Sequence, residues 1–292
     1  MGTLERLKNI AREAVSFASN SATPSLDALL QLELSKELAR LQAEMRTSMP
    51  ENPAAYGYKV YSQADEDGIV ENITQRIGID RGSFIEIGCG DGRENNSHYL
   101  LLKGWRGIWV DGDPESIATI RAALPLDGRL RLVEQMVTRE NVTAIHAAAG
   151  SPNFGPLDLL SVDIDGNDLA IAQVAIGAWS PKIVIGEYNA KFPYPMQQEV
   201  QYDPHHQWTR DDYHGASLAR WIEGLKPSYR LVCCNLAGTN AFFVREDFAD
   251  RFANYVSEQL YQPARFHLIA LRSGHVPSLS FLRNSLRADS VL

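Results

Sequence analysis

Cysteine is scarce in this chain: three in 292 residues, Cys89 and the adjacent pair Cys233-Cys234. That number and spacing exclude a disulfide framework and a metal finger, and they point to a reducing compartment. Long apolar runs are missing as well. No stretch approaches the roughly 18 apolar residues of a membrane span. The N-terminus carries Glu5, Arg6, Lys8, Arg12 and Glu13 where a secretory leader needs an uninterrupted apolar core. The expected localisation is cytoplasmic, without membrane insertion. Basic charge is in deficit, with 28 Lys and Arg against 36 Asp and Glu for a net charge of −8. Sequence-independent binding to nucleic acid draws on cationic contacts with phosphates, so a small-molecule or glycan substrate fits better. Internal repeats and low-complexity tracts are absent too. The remaining balance, 45% apolar and 22% charged, is that of an ordinary globular chain. Its length can bury a sizeable core in one enlarged domain.

What is present starts with Phe84-Ile-Glu-Ile-Gly-Cys-Gly-Asp-Gly92, a short apolar strand that breaks into three alternating glycines flanked by carboxylates. Gly88, Gly90 and Gly92 let the backbone bend sharply and approach a ligand. A plain left-handed turn is the alternative. A pyrophosphate on a helix N-terminus would avoid the negative charge of Glu86 and Asp91. S-adenosylmethionine, with a sulfonium, an amino group and no phosphate, suits it. About 20 residues on, Arg106 to Val110 reads as a second buried strand ending in Asp111, placed to accept from ribose hydroxyls. Asp113 precedes Pro114 and reads as a helix cap. A nicotinamide dehydrogenase would need GxGxxG, but residue 93 is Arg and residue 91 is acidic.

Beyond the turn, helical and strand patterns alternate, with strands at 130–137, 157–162 and 182–186 and helices at 114–124, 141–149 and 169–175. Such alternation indicates a mainly parallel sheet with helices on both faces. Ile69, Ile73 and Ile77 give the preceding helix, capped by Asp65, an inward face. Two amphipathic helices come first, one through Leu4, Leu7, Ile10, Ala14 and Phe17. The other runs through Leu26, Leu30, Leu34, Leu38, Leu41 and Met45. They form either a packing layer or the interface of a homo-oligomer. Pro50 and Pro53 end that region. From Tyr188 to Tyr213 the chain is irregular and aromatic, with Tyr194, His205, His206 and Trp208, which suits a substrate lid over the strand ends or aromatic packing on the sheet. A helix follows with Leu218, Trp221, Ile222 and Leu225 inward, then a hairpin around Gly238. A helix is expected over 248–261, and the last thirty residues show no pattern.

Taken together, Tyr61-Ser-Gln-Ala-Asp-Glu-Asp-Gly68, 84–96, 107–114, Asp163-Ile-Asp-Gly-Asn-Asp168, Gly186-Glu-Tyr-Asn189 and Gly215-Ala-Ser-Leu218 make the chain similar to class I SAM-dependent methyltransferases of the FkbM-like branch. The resemblance spans roughly residues 56 to 246. It implies a Rossmann-like, doubly wound, mainly parallel seven-stranded sheet whose last strand is antiparallel. It also places Tyr61, Ser62 and Gln63 under the cofactor. Residues 54–247 form the expected methyltransferase domain with a lid at 189–214, between an N-terminal helical extension (1–53) and a C-terminal one (248–292).

The expected cofactor contacts are Gln63, Glu86, Gly88, Gly90, Asn96, Asp111 and Asp163, with residues 94–98 also capping the first helix. Asp163, Glu187 and Asn189 sit at adjacent strand ends and offer hard oxygen ligands for Mg²⁺ or another divalent cation. This arrangement resembles the metal site of catechol-type O-methyltransferases, although Tyr188 separates Glu187 from Asn189. The alternative is a hydrogen-bonded acid cluster that orients cofactor and substrate. Asp163, Glu187 and His214 are the catalytic candidates, with His205 and His206 as further bases. Asn189, Tyr194, His205, His206, Trp208 and Tyr213 are the substrate-contact candidates. The activity expected is methylation of a hydroxyl on a sugar, glycan or secondary metabolite, with N-methylation as a variant. A SAM-binding or interaction protein without turnover is the competing class.

Overall fold

The computed structural model describes residues 26–126, 128–149 and 155–289. The helix expected through Leu4 to Phe17 lies outside them. Helix α1 (Leu26–Ser48) leads into α2 (Glu66–Ile77). Then follow β1 (Ser83–Ile87), α3 (His98–Leu102), β2 (Arg106–Asp111), α4 (Pro114–Ala123), β3 (Leu130–Glu134), α5 (Ile145–Ala148), β4 (Leu159–Val162), α6 (Asp168–Trp179) and β5 (Ile183–Glu187). After an irregular stretch over 189–214 come α7 (Leu218–Leu225), β6 (Tyr229–Cys234), β7 (Asn240–Arg245), α8 (Ser257–Leu260) and α9 (Ser280–Asp289).

One seven-stranded sheet organises the molecule in the order β3-β2-β1-β4-β5-β7-β6. The first five strands pair in parallel, and β7 runs antiparallel to both β5 and β6. This is the Rossmann-like, mainly parallel seven-stranded sheet with an antiparallel last strand expected from the sequence. The winding reverses between β1 and β4, and a crevice opens at such a switch point beyond the strand carboxyl ends. All of β1 is buried, as are Ile69, Ile73 and Ile77 of α2 and Leu218, Trp221 and Leu225 of α7. Among the described residues no helix is long and apolar enough to cross a membrane.

Three local expectations need correction. The apolar seam of α1 is buried only at Leu34, Leu41 and Met45, while Leu26 and Leu30 are exposed. Residues 248–261 are not one helix. A 3-10 turn over Glu246–Arg251, closed by Phe252 N on the Ala249 carbonyl, precedes extended chain and then α8, and the Arg230 guanidinium also bonds the carbonyls of Ala249 and Phe252. The patternless C-terminus forms α9, which buries Leu282 and Leu286 and packs on α3.

His98 is fully buried, donates through Nδ1–H to the Gly92 carbonyl at 2.7 Å and stacks on Tyr61 with centroids 3.8 Å apart. Burial holds it down at about 4. The unfolded chain protonates this histidine near pH 6.5 and the folded one only near 4, so its stabilisation is complete above 6.5 and lost as the pH falls between them. Urea unfolding is expected to show about 2 kcal/mol lost from this group at pH 5 relative to pH 7. His98→Gln should flatten that slope, and identical slopes would assign the effect to other groups.

Candidate functional site

The site is built around two buried carboxylates that organise backbone. Glu86, 3% exposed on β1, accepts from Asn96 N (2.8 Å), Asn95 Nδ2 (3.0 Å), Ser97 N (3.1 Å) and the Ser97 hydroxyl. Burial pushes it up to about 7 against the pull of those donors. Residues 94–98 therefore wrap Glu86 and do not cap α3: Ser97 holds the N-cap position without a side-chain bond to the helix. Glu86 faces its own loop, where the sequence suggested a cationic ligand. Glu86→Gln would turn an amide NH₂ toward these donors, and a loss of about 2–4 kcal/mol is expected by urea unfolding. Asp67 does the same for the segment before α2. Its Oδ2 gathers the amides of Val60, Tyr61 and Ser62 at 2.7–2.8 Å and so fixes the approach to Gln63. Asp65 sits at the N-cap of α2 but makes no cap bond. Its side chain accepts from Leu236 N instead.

Two glycines let strands and ligand space meet. Gly88 has φ +87°, and a Cβ there would lie 1.6 Å from the Asp163 carbonyl. Gly90, φ +53°, has nothing within 4 Å of where a Cβ would stand, so its backbone is open to a ligand. Asp111 locks the turn: Oδ2 accepts from Gly90 N at 2.7 Å and Oδ1 from Asp113 N at 2.8 Å. Asp113 caps α4 as expected, accepting from Ser116 N at 3.0 Å.

Two cavities open here and share Gly88, Gly90 and Asp163. The larger, about 720 Å³, reaches Asp111, Gln135, Met136, Asp165, His206 and Trp208. The smaller, about 150 Å³, reaches Gln63, Glu86, Asn96 and Asn240. Gln135, Met136 and Asn240 were not singled out from the sequence. The first two directly follow β3, whose last residue Glu134 pairs with Asp111 at the end of β2, a register signal that was available. Asn240 opens β7 and reaches the site only through antiparallel pairing opposite Glu187. Gln135 Nε2 is buried there without a partner.

Asp168, at the start of α6, accepts from Ile164 N (2.6 Å) and Gly166 N (2.7 Å). That loop holds Asp165 at φ +57°. Asp163, Asp165 and Glu187 then bring carboxylate oxygens within 4.8 Å of one another. Burial first, then the neighbouring acids, hold Asp163 and Glu187 well above the usual carboxylate range. Asn189 does not join them. Strand β5 ends at Glu187, and the Asn189 amide turns to the lid, donating to the carbonyls of Asp212 and His214 at 3.0 Å each and accepting from Lys191 N.

Residues 189–214 are irregular, as expected, and are tied to the site loop by Asn167 Nδ2 on the Asp203 carbonyl at 2.7 Å. His206 lies against Gly166, where a Cβ would come within 2.2 Å of its ring. Its Nε2 has no partner. His214 is half-buried beside Trp208, with Nδ1 unpartnered. Burial lowers its pKa, and Asp165 opposes that shift. His205 is exposed. Glu187, Asn189, Tyr194, His205, Tyr213 and His214 line neither cavity, although Tyr213 meets His206 edge to face at 6.1 Å.

The sequence matches no protein-family model and no curated protein. Solved structures with a similar fold include an SAH-bound methyltransferase from Podospora anserina. It shares 15% identity, with 82% of this chain and 96% of that one covered, at a TM-score of 0.42. Another is a Staphylococcus aureus protein assigned provisionally as a caffeoyl-CoA O-methyltransferase (11%, 81% and 99%, 0.43). A third is a glycopeptide N-methyltransferase complexed with sinefungin (14%, 62% and 87%, 0.37). These neighbours are SAM-dependent methyltransferases, some named for O- and some for N-methylation.

Proposed function

We propose that the chain is a SAM-dependent methyltransferase acting on a hydroxyl of a sugar, glycan or secondary metabolite, with an amine acceptor as the variant. The observation that carries this reading is the two-part cavity hinged on Gly88, Gly90 and Asp163. A large chamber with ribose-type acceptors joined to a small acceptor-rich one suits a nucleoside bearing an amino-acid tail. The residues fit S-adenosylmethionine on their own chemistry: Gly90 is open, Gln135 offers an orphaned donor, and the small cavity is lined by acids with no Lys or Arg. Asp111 would hold the ribose, and Gln63, Asn96 and Asp163 the amino-acid end. When bound, the cofactor supplies an electrophilic methyl group on sulfur.

The chain's own residues then have two tasks. The lid, through His206 and Trp208, excludes water and holds the acceptor in line with the donor, a source of much of the acceleration in such displacements. His214, kept neutral by its half-burial, takes the hydroxyl proton. Calorimetric titration with S-adenosylhomocysteine tests the reading, and absence of binding would sink it. Binding without formation of that product from S-adenosylmethionine and acceptor pools would favour an inert cofactor-binding protein. The exposed Leu26, Leu29 and Leu30 at the start of α1 support α1 as a contact between copies. A monomer by light scattering would remove that role.

A further inference from the structure

Among the described residues, Asp163, Asp165 and Glu187 cluster beyond the ends of β4 and β5, where Glu187 shares a hydrogen bond with Asp163, and Asn240 stands across from Glu187 at the start of β7. Asp163, Asp165 and Glu187 bring carboxylate oxygens within 4.8 Å of one another. Among the described residues no Lys or Arg forms an ion pair with any of the three, and Glu187 Oε2 is buried without a partner.

The fourth side chain is independent of the acids. Asn240 is 3% exposed and stands directly opposite Glu187 in the antiparallel β5–β7 pair. Both side chains therefore leave the same face of the sheet, with Cβ atoms about 5 Å apart. Asn240 Nδ2 donates to Glu66 Oε1 at 3.1 Å. A carboxylate accepts and does not donate, so Glu66 decides which end of the amide faces it. Oδ1 is turned the other way, buried and without a partner, in the wall of the small cavity that Asp163 also lines. Glu66 is itself held by Asn235 Nδ2 at 2.7 Å and Ala64 N at 2.7 Å, so the amide's orientation is built in.

Three carboxyl groups with no Lys or Arg partner, and a buried amide oxygen without a donor, are a ligand set for a hard divalent cation. The spacing agrees: two oxygens on opposite sides of an ion at roughly 2.1–2.5 Å lie about 4.2–5 Å apart. We propose that Asp163, Asp165, Glu187 and Asn240 form a divalent-cation site, whose amide oxygen comes from β7 and not from Asn189. The site stands on these residues alone. Its part in catalysis, binding the acceptor hydroxyl and lowering its pKa ahead of proton loss to His214, rests on the methyltransferase reading.

Mn²⁺ is the probe. The full chain, treated with chelator and free of cofactor, would be titrated with Mn²⁺ while electron paramagnetic resonance follows the free ion. One saturable site is expected. Glu187→Gln, close to isosteric, should weaken it at least tenfold, and Asn240→Leu about tenfold, whereas Asn189→Leu and the nearby control Asp91→Asn should stay within twofold. Glu66→Gln, which frees the amide to turn over, gives a second route to Asn240 and should weaken binding several-fold. Thermal melting of each variant reports on folding. Wild-type protein without saturable Mn²⁺ binding overturns the proposal, as does a site sensitive to Asn189→Leu and indifferent to Asn240→Leu and Glu66→Gln. A parallel titration with S-adenosylhomocysteine keeps the two ideas apart: protein that binds Mn²⁺ but not that ligand retains the cation site and loses the methyltransferase reading.

Discussion

Asp163→Asn is expected to lower methyl transfer by about 10²–10³-fold, the scale seen when a preorganised polar contact at a reacting centre is removed, while leaving the fold intact. Asp163 ends the fourth strand and lines both cavities, so its carboxylate stands where the two halves of the proposed ligand join. Its backbone is fixed independently of the side chain, through the Asp163 N bond to the Ile87 carbonyl at 3.0 Å. An asparagine keeps that geometry and the side-chain volume. It also removes one of three acids that repel one another, so the melting temperature should stay level or rise. That combination separates a chemical role from a structural one. Turnover within tenfold of wild type would take Asp163 out of the catalytic set, and a fall in melting temperature of several degrees would recast the loss as misfolding.

The parts of the fold legible in the sequence are those whose cause is local. Ile69, Ile73 and Ile77 are buried because a helix repeats its face at that spacing. Asp113 caps α4 because an acid before proline does so almost wherever a helix starts. The glycine turn and Asp111 at the next strand end follow from the periods of two buried strands.

The expectations that failed depended on partners distant in sequence. Residues 94–98 look like a helix cap until Glu86, nearly ten residues earlier, is seen to accept from them. Asn189 was grouped with Glu187 by strand periodicity, but β5 ends at Glu187, and the lid's carbonyls at 212 and 214 claim the amide. Asn240 was invisible as a site residue because its place beside Glu187 is set by β5–β7 register across more than fifty residues. Arg230 on β6 likewise reaches the segment of the expected C-terminal helix, bonding the carbonyls of Ala249 and Phe252. Periodicity identifies which face a residue occupies, and only the pairing of elements decides what it touches there.

Asp111→Ala is expected to weaken S-adenosylhomocysteine binding by about 100-fold or more. In the structure each Asp111 oxygen already accepts one backbone amide, Gly90 N or Asp113 N. A carboxylate oxygen has capacity for a further bond, so both oxygens remain able to accept from ribose hydroxyls. Two charge-assisted bonds at about 1.5 kcal/mol or more each account for the expected factor. The substitution also frees Gly90 in a turn whose backbone stands open to the cavity, so affinity alone would not tell ribose contact from turn loosening. Asp111→Asn does not separate them either, since its NH₂ would face an amide N–H and cost much the same. The ligand separates them. Wild-type protein should bind the 2′-deoxyribose analogue of S-adenosylhomocysteine markedly more weakly than the parent, and Asp111→Ala should bind the two nearly alike. If the variant still discriminates as wild type does, the ribose acceptor lies elsewhere, and Asp111 serves only to hold the glycine turn.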